Sequence, residues 1–174
     1  MKRLENSVMA TTSCEPKTGA LQRITAFRRI LVPTDFSPAS EQAFCCALQL
    51  AQGLRAELIL LHVLEPITPL LLAGRTADDV FSEEELAKGR ENLLALAESA
   101  QAAGITETKS IVRTGIATYE IADVAREIDA DLIVIATHGF TSWKHFAVGS
   151  TANQVARVAP CPVLVVREKE HDFL

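Results

Sequence analysis

The chain has 174 residues, of which 48% are hydrophobic and 22% are charged, and its formal net charge is −5. These values predict one folded domain with a sizeable core, and the negative balance argues against a general nucleic-acid or anionic-membrane surface. No apolar run approaches the roughly 20 residues that span a bilayer, so we expect a soluble, cytoplasmic protein without a membrane anchor.

The two ends of the chain differ from its middle in composition. Residues 1–25 mix Ser, Thr, Asn, Pro and Gly and lack the apolar segment of a secretory signal, which predicts a flexible extension. We expect the folded domain over residues 26–170 and a short tail over 171–174.

The cysteines show no CxxC or Cys/His metal-ligand spacing, and two of them are adjacent. Free thiols in a reducing cytoplasm are therefore expected rather than a disulfide framework. The four residues are Cys14, Cys45, Cys46 and Cys161.

Short apolar runs rich in β-branched residues alternate with helical patterns along the chain, in the order β-α-β-α-β-α-β-α-β. Such alternation requires parallel strands joined by right-handed crossovers, so we predict a three-layer α/β fold with a five-stranded parallel sheet. The predicted strands are Ile30–Val32, Glu57–Val63, Glu107–Arg113, Leu132–Ile135 and Val163–Val166.

Helix boundaries are also visible in the sequence. Ser37 followed by Pro38 predicts the start of the first helix, and Gly53 is placed to end it. Ser82-x-x-Glu85 predicts a capping box at the start of the second helix. Its expected apolar face is Leu86, Leu93, Leu94, Ala97 and Ala100.

A connection of about 18 residues follows the second predicted strand, which is long for a plain linker. Its apolar run Leu70–Leu72 would either cover a site or pack on a helix, and the sequence leaves both readings open. The third strand is weaker and polar enough to form an edge of the sheet.

Three blocks of the chain resemble the UspA-type universal stress protein family, over about Phe27–Arg167. The first is Arg29–Ser37, with the sequence RILVPTDFS, and the second is Leu61-His62-Val63. The third runs from Asp131 to Val166, DLIVIATHG followed by nine residues, Gly149-Ser150, and APCPVLVV.

The resemblance implies a sheet of order 3-2-1-4-5 with a ligand crevice between the carboxyl ends of strands 1 and 4. The nucleotide motif of the family is Gly, two residues, Gly, nine residues, Gly, then Ser or Thr. Gly139, Gly149 and Ser150 match it, whereas Ala136 occupies the first glycine position. A methyl group there is a modest obstacle if φ is negative and a serious one if φ is positive.

By this resemblance the site would bind ATP, with phosphates at the glycine-rich loop and the helix start that follows it. Ser150 would also serve as a plain helix cap, and Asp35 as a cap of the first helix, so neither residue discriminates alone. The predicted nucleotide-binding residues are Pro33, Thr34, Asp35, Val63, Ala136, His138, Gly139, Gly149, Ser150 and Thr151.

The predicted function is a stress-response regulator that binds ATP and forms a homodimer through the last strand, Val163, Leu164, Val165 and Val166. The alternative is a dimeric interaction module that binds no nucleotide. Catalytic residues are not evident, so we expect no enzyme, although slow ATP hydrolysis stays open. No metal-ligand motif occurs, and Mg²⁺ or Mn²⁺ would arrive only with the triphosphate.

Overall fold

A computed structural model describes residues 27–66, 81–137 and 150–167, and five strands and four helices lie within these ranges. They confirm the predicted alternation and the α/β fold class. In chain order they are β1 (Arg29–Pro33), α1 (Pro38–Leu54), β2 (Glu57–Leu64), α2 (Glu83–Ala102), β3 (Thr108–Thr114), α3 (Ala117–Glu127), β4 (Leu132–Ala136), α4 (Ser150–Val158) and β5 (Val163–Val166).

The strands form one parallel sheet in the order β3-β2-β1-β4-β5, as the sequence resemblance implied. β1 is therefore central. Its register with β2 covers five pairs, from Arg29↔Glu57 to Pro33↔Leu61. Chain order reverses beside β1, between β1 and β4, which is the topological switch point of such a sheet.

Alternate strand residues enter two separate cores, one on each face of the sheet. Ile30 and Val32 of β1 face the core that α1 and α2 cover, whereas Leu31 faces the core that α3 and α4 cover. All three side chains are fully buried. Burial on both faces explains the continuous apolar runs that identified the strands in the sequence.

Asp131, the residue before β4, holds the amino ends of β1 and β4 together. Its Oδ2 accepts hydrogen bonds from the backbone N–H groups of Arg28 and Arg29, at 2.9 and 3.0 Å. Its own N–H donates to the Arg29 carbonyl at 2.9 Å. One carboxylate thus supplies the acceptor for two backbone donors at the start of the central strand.

The first helix begins as predicted and ends differently. Ser37 is its N-cap and accepts a hydrogen bond from Ser40 N, with Pro38 in the first turn. The prediction that Gly53 ends the helix is wrong, because the helix continues to Leu54 and Arg55 takes the left-handed conformation at φ 54°. The N–H groups of Arg55 and Ala56 both donate to the Ala51 carbonyl and close the helix without a glycine, at a cost of about 1 kcal/mol or more for the left-handed backbone.

The capping box of α2 is confirmed: Glu85 N donates to Ser82 Oγ, and Ser82 N donates to the Glu85 carboxylate. The Ser82 N–H and the Ser82 hydroxyl both donate to the Glu85 carboxylate and lower its pKa. The capping contribution is therefore present above the unfolded pKa and is lost as the pH falls through the folded one. Leu93, Ala97 and Ala100 are buried as predicted, but Leu94 is 59% exposed and does not belong to the apolar face.

β3 lies at one edge of the sheet, as its sequence predicted, and β5 at the other. In the part of the chain that the structure describes, no helix is long and apolar enough to cross a membrane.

Cys45, Cys46 and Cys161 are free thiols, as predicted, and Cys14 lies outside the described residues. Cys45 is exposed on α1, whereas Cys161 is partly buried just before β5. Burial, and then the negative charge of Asp131, raise the pKa of the Cys161 thiol.

Alkylation by iodoacetamide at pH 8 is expected to modify Cys45 before Cys161, because the thiolate is the reactive form and burial disfavours it at Cys161. Raising the pH through 9 and above should speed modification of Cys161. Peptide mass spectrometry over time distinguishes the sites. Equal rates for Cys45 and Cys161 at pH 8 would contradict the assigned environments.

Candidate functional site

The sheet opens at its carboxyl edge between β1 and β4. Their register covers two pairs, Ile30↔Leu132 and Leu31↔Ile133, whereas β4 pairs with β5 over four, as far as Ala136↔Val166. Toward their carboxyl ends, β1 therefore pairs with β2, and β4 pairs with β5, rather than with each other. This opening lies at the switch point, where open α/β sheets bind ligands.

The loop from β1 to α1 forms one wall of this opening. Thr34 N donates to the Leu61 carbonyl at 2.8 Å and extends the β1–β2 ladder by one residue. Asp35 follows, partly exposed, and its Oδ1 accepts from Ser37 N at 3.1 Å and Ser37 Oγ at 2.6 Å. Asp35 therefore orients the N-cap residue, Ser37, and Ser37 rather than Asp35 caps the helix.

A chain of hydroxyl groups fixes the shape of this loop. Ser40 Oγ donates to the Ser37 carbonyl at 2.9 Å, so its contact with Thr34 Oγ1 at 3.1 Å must be donated by Thr34. Each hydroxyl has one proton, and the direction of every bond is therefore set. Thr34, Ser37 and Ser40 are buried, and this arrangement satisfies their polar atoms away from water.

His62 joins the loop from β2. Its Nδ1 lies 2.9 Å from the Thr34 carbonyl oxygen, and because a carbonyl only accepts, Nδ1 carries the hydrogen. The imidazole ring also contacts the ring of Phe36, with centroids 4.5 Å apart and planes inclined by 41°. A side chain of the second strand thus holds the residues on both sides of Asp35.

Glu65, just after β2, caps the helix on the other face of the sheet. Its Oε1 accepts from Ala117 N at 2.6 Å, and the helix N-cap, Ile116, provides no side-chain hydrogen bond of its own. A carboxylate at a helix N-terminus is favourable because the dipole is positive there. The next residues after β2, 67–80, include the apolar run 70–72 and lie outside the described residues.

Ala136 is the last residue of β4, is 8% exposed, and pairs with Val166. The described non-glycine residues with positive φ are Phe36, Arg55 and Asp129, so Ala136 has negative φ. The backbone objection to an alanine at the first glycine position of the motif therefore does not apply. Thr137 follows, buried, with its N–H donated to the Val166 carbonyl at 2.9 Å.

Ser150 is the first residue of α4 and is exposed, and Thr151 is partly exposed. The parallel topology places this helix start at the carboxyl edge of the sheet, together with Pro33, Asp35 and Ala136. The predicted residues His138, Gly139 and Gly149 lie outside the described residues.

Val63, the remaining predicted residue, is partly buried near the carboxyl end of β2, on the face opposite to His62. Among residues 27–66, 81–137 and 150–167, no three His, Cys, Asp or Glu side chains form a group that could hold a metal ion.

Two residues at this edge, His62 and Ser40, were not in the predicted site. His62 gives a weak signal, since it is a polar residue at the end of the otherwise apolar run ELILLHV. Ser40 gives less, because an isolated serine in the first turn of a helix is common.

A parallel 3-2-1-4-5 sheet with a polar loop at its point of reversal defines an α/β protein of the Rossmann-like class. The sequence model of the universal stress protein family matches residues 26–167. The chain belongs to the universal stress protein family.

Its relatives cover most of the chain. A universal stress protein of Synechocystis sp. is 36% identical over 147 residues, covering 82% of this chain and 87% of the relative. The structure of universal stress protein UspA from Lactobacillus plantarum is 31% identical, with a TM-score of 0.69, covering 82% and 99% of the two chains. A universal stress protein solved in complex with cAMP is 28% identical, with a TM-score of 0.62, covering 81% and 97%.

Replacing Ser40 with alanine is expected to lower the free energy of unfolding by about 1–3 kcal/mol, because the buried Thr34 hydroxyl loses its acceptor. Urea denaturation followed by circular dichroism measures this change. Gln49→Ala, at an exposed position of the same helix, is the matched control and should change stability little. Equal effects of the two substitutions would mean that the hydroxyl chain contributes nothing.

Proposed function

We propose that the protein binds ATP in the opening between β1 and β4 and acts as a homodimeric, nucleotide-dependent regulator of a stress response, without catalytic activity. The observation that carries the proposal is the two-pair register between β1 and β4, which opens the sheet beside the Asp35 loop. A related universal stress protein solved with cAMP supports an adenine nucleotide as the ligand class.

The described residues fit such a ligand. Ala136 has a backbone conformation that leaves its methyl group unstrained. Ser150 and Thr151 open a nine-residue helix at the same edge, where free N–H groups and the helix dipole favour phosphate. Asp35 is partly exposed and lies in the β1–α1 loop beside the opening. Gly139 and Gly149 complete the motif in sequence.

Roles follow from the chemistry of each residue. The hydroxyls of Ser150 and Thr151 would donate to phosphate oxygens, and the Asp35 carboxylate would accept from ribose hydroxyls or the adenine amino group. Mg²⁺ or Mn²⁺, if bound, would be held by phosphate oxygens and water.

ATP is expected to raise the melting temperature of the full chain. A ligand at 100 times its dissociation constant stabilises the native state by about 2.7 kcal/mol. Gly149→Val should weaken ATP binding at least about tenfold, because a branched side chain obstructs close approach of backbone to phosphate. Thermal-shift titration and isothermal calorimetry measure both effects.

The melting temperature of the variant without ligand is the control for folding. If wild type and variant bind ATP equally, the glycine loop is not the phosphate site. If neither ATP nor AMP binds the wild type, the chain is the interaction module without nucleotide.

The proposed dimer would form through β5. This strand pairs with β4 on one side and ends the sheet on the other, and its Leu164 is 38% exposed. An apolar strand edge needs a partner, and pairing with the same strand of a second copy about a two-fold axis provides one.

Leu164→Glu is expected to convert the dimer to a monomer, because it places two carboxylates near the two-fold axis. Size-exclusion chromatography with light scattering at micromolar concentration measures the mass. Leu94→Glu, at an exposed leucine of α2, is the matched control and should leave the mass unchanged. A wild-type monomer, or a dimer that persists in Leu164→Glu, would exclude this interface.

A further inference from the structure

His62, on β2, lies between two elements that are not part of that strand. On one side is the β1–α1 loop, through the Thr34 carbonyl at 2.9 Å and the Phe36 ring at 4.5 Å between centroids. On the other side is α2, where Gly89 lies directly against the imidazole. Asp35 is the residue between the two loop contacts.

Phe36 needs such support because its backbone is strained. Its φ is +61°, in the left-handed region, which costs about 1–2 kcal/mol for a residue with a side chain. Its N–H donates to Thr34 Oγ1 at 3.0 Å, its ring contacts His62, and its side chain packs against the core that α1 and α2 cover. If Phe36 relaxed to negative φ, the chain direction at Asp35 would change.

Gly89 is in the middle of α2, where glycine is unfavourable by about 1 kcal/mol relative to alanine. The structure gives a reason for it. A Cβ atom built on Gly89 would lie 3.1 Å from His62 Cδ2 and 3.8 Å from Val112 Cγ2. The missing side chain leaves room for the imidazole in its present position.

We infer that His62, seated against Gly89, is a positioning residue that holds Asp35 in the conformation required for nucleotide binding. The inference rests on the proposed function and assigns to that site a residue that does not itself reach the ligand. His62 acts through the Thr34 carbonyl and the Phe36 ring. Because Gly89 has no side chain, the imidazole lies close to α2, and this distance determines where the β1–α1 loop is held.

If His62 has a purely structural role, variants should lose nucleotide affinity only as far as they lose stability. If His62 positions Asp35, nucleotide affinity should fall without a matching loss of stability. Gly89→Ala provides this separation. The added methyl group should favour the helix and push the imidazole by a few tenths of an ångström toward the loop. The gain in helix stability and the cost of moving the ring oppose each other, so the melting temperature should change little, while AMP binds about fivefold more weakly.

Gly53→Ala is the matched control. Gly53 is also helical, in α1, and nothing lies within 4 Å of a Cβ built on it. The Gly53→Ala variant should have a more stable helix α1 and an unchanged affinity for AMP. Isothermal calorimetry of the full chain with AMP and with ATP gives the dissociation constants, and thermal denaturation without ligand gives the melting temperatures.

Two substitutions at His62 test the hydrogen bond itself. His62→Phe keeps a ring against Phe36 and removes the donor to the Thr34 carbonyl, so affinity should fall about fivefold or more. His62→Asn places an amide N–H near the position of Nδ1 and should restore most of the affinity, even though it loses the ring contact.

The outcomes separate the two proposals. If wild type binds neither AMP nor ATP, the proposed function fails and this inference fails with it. If wild type binds but Gly89→Ala and His62→Phe bind equally well, the site stands and His62 has no positioning role. Affinity losses that only parallel losses in melting temperature would also overturn it, in favour of a structural role.

Discussion

Pairing of β1 with two neighbours at once is the constraint on which the rest of the structure depends. At the amino edge, Asp131 binds the N–H groups of Arg28 and Arg29 and brings β4 against β1. At the carboxyl edge, the β1–β4 register has already ended after Leu31↔Ile133. The sheet is therefore closed at one end and open at the other, and the polar loop groups collect where it is open.

The fold followed from local patterns because the three inner strands, β1, β2 and β4, have residues buried on both faces. Short β-branched runs such as Leu132–Ile135 are typical of strands inside a parallel sheet, and the capping box at Ser82 depends on residues three apart. The errors lie at the end of one helix and at the margin of the apolar face of another. Arg55 adopts a conformation that a sequence rule gives to Gly53, and Leu94 lies just outside the apolar face that its helical spacing indicated.

The candidate site was partly visible in sequence for a related reason. Asp35 lies two residues after β1, and Ala136 ends β4, so their shared edge could be predicted from topology. The roles of His62, Phe36 and Gly89 could not, since they depend on the register of β2 with β1 and on the distance from α2 to the sheet. No local propensity encodes a phenylalanine with a left-handed backbone conformation, or a glycine that makes room for a neighbouring ring.

The central position of β1 has a consequence for synthesis of the chain. Arg29 and Asp131 are 102 residues apart, a span that a ribosome needs roughly 5–20 s to translate. During that interval the innermost strand has left the ribosome, while its β4 partner has not been made. The nascent chain must keep Ile30, Leu31 and Val32 from aggregating until β4 has been made, and contacts of such long range also make folding slow.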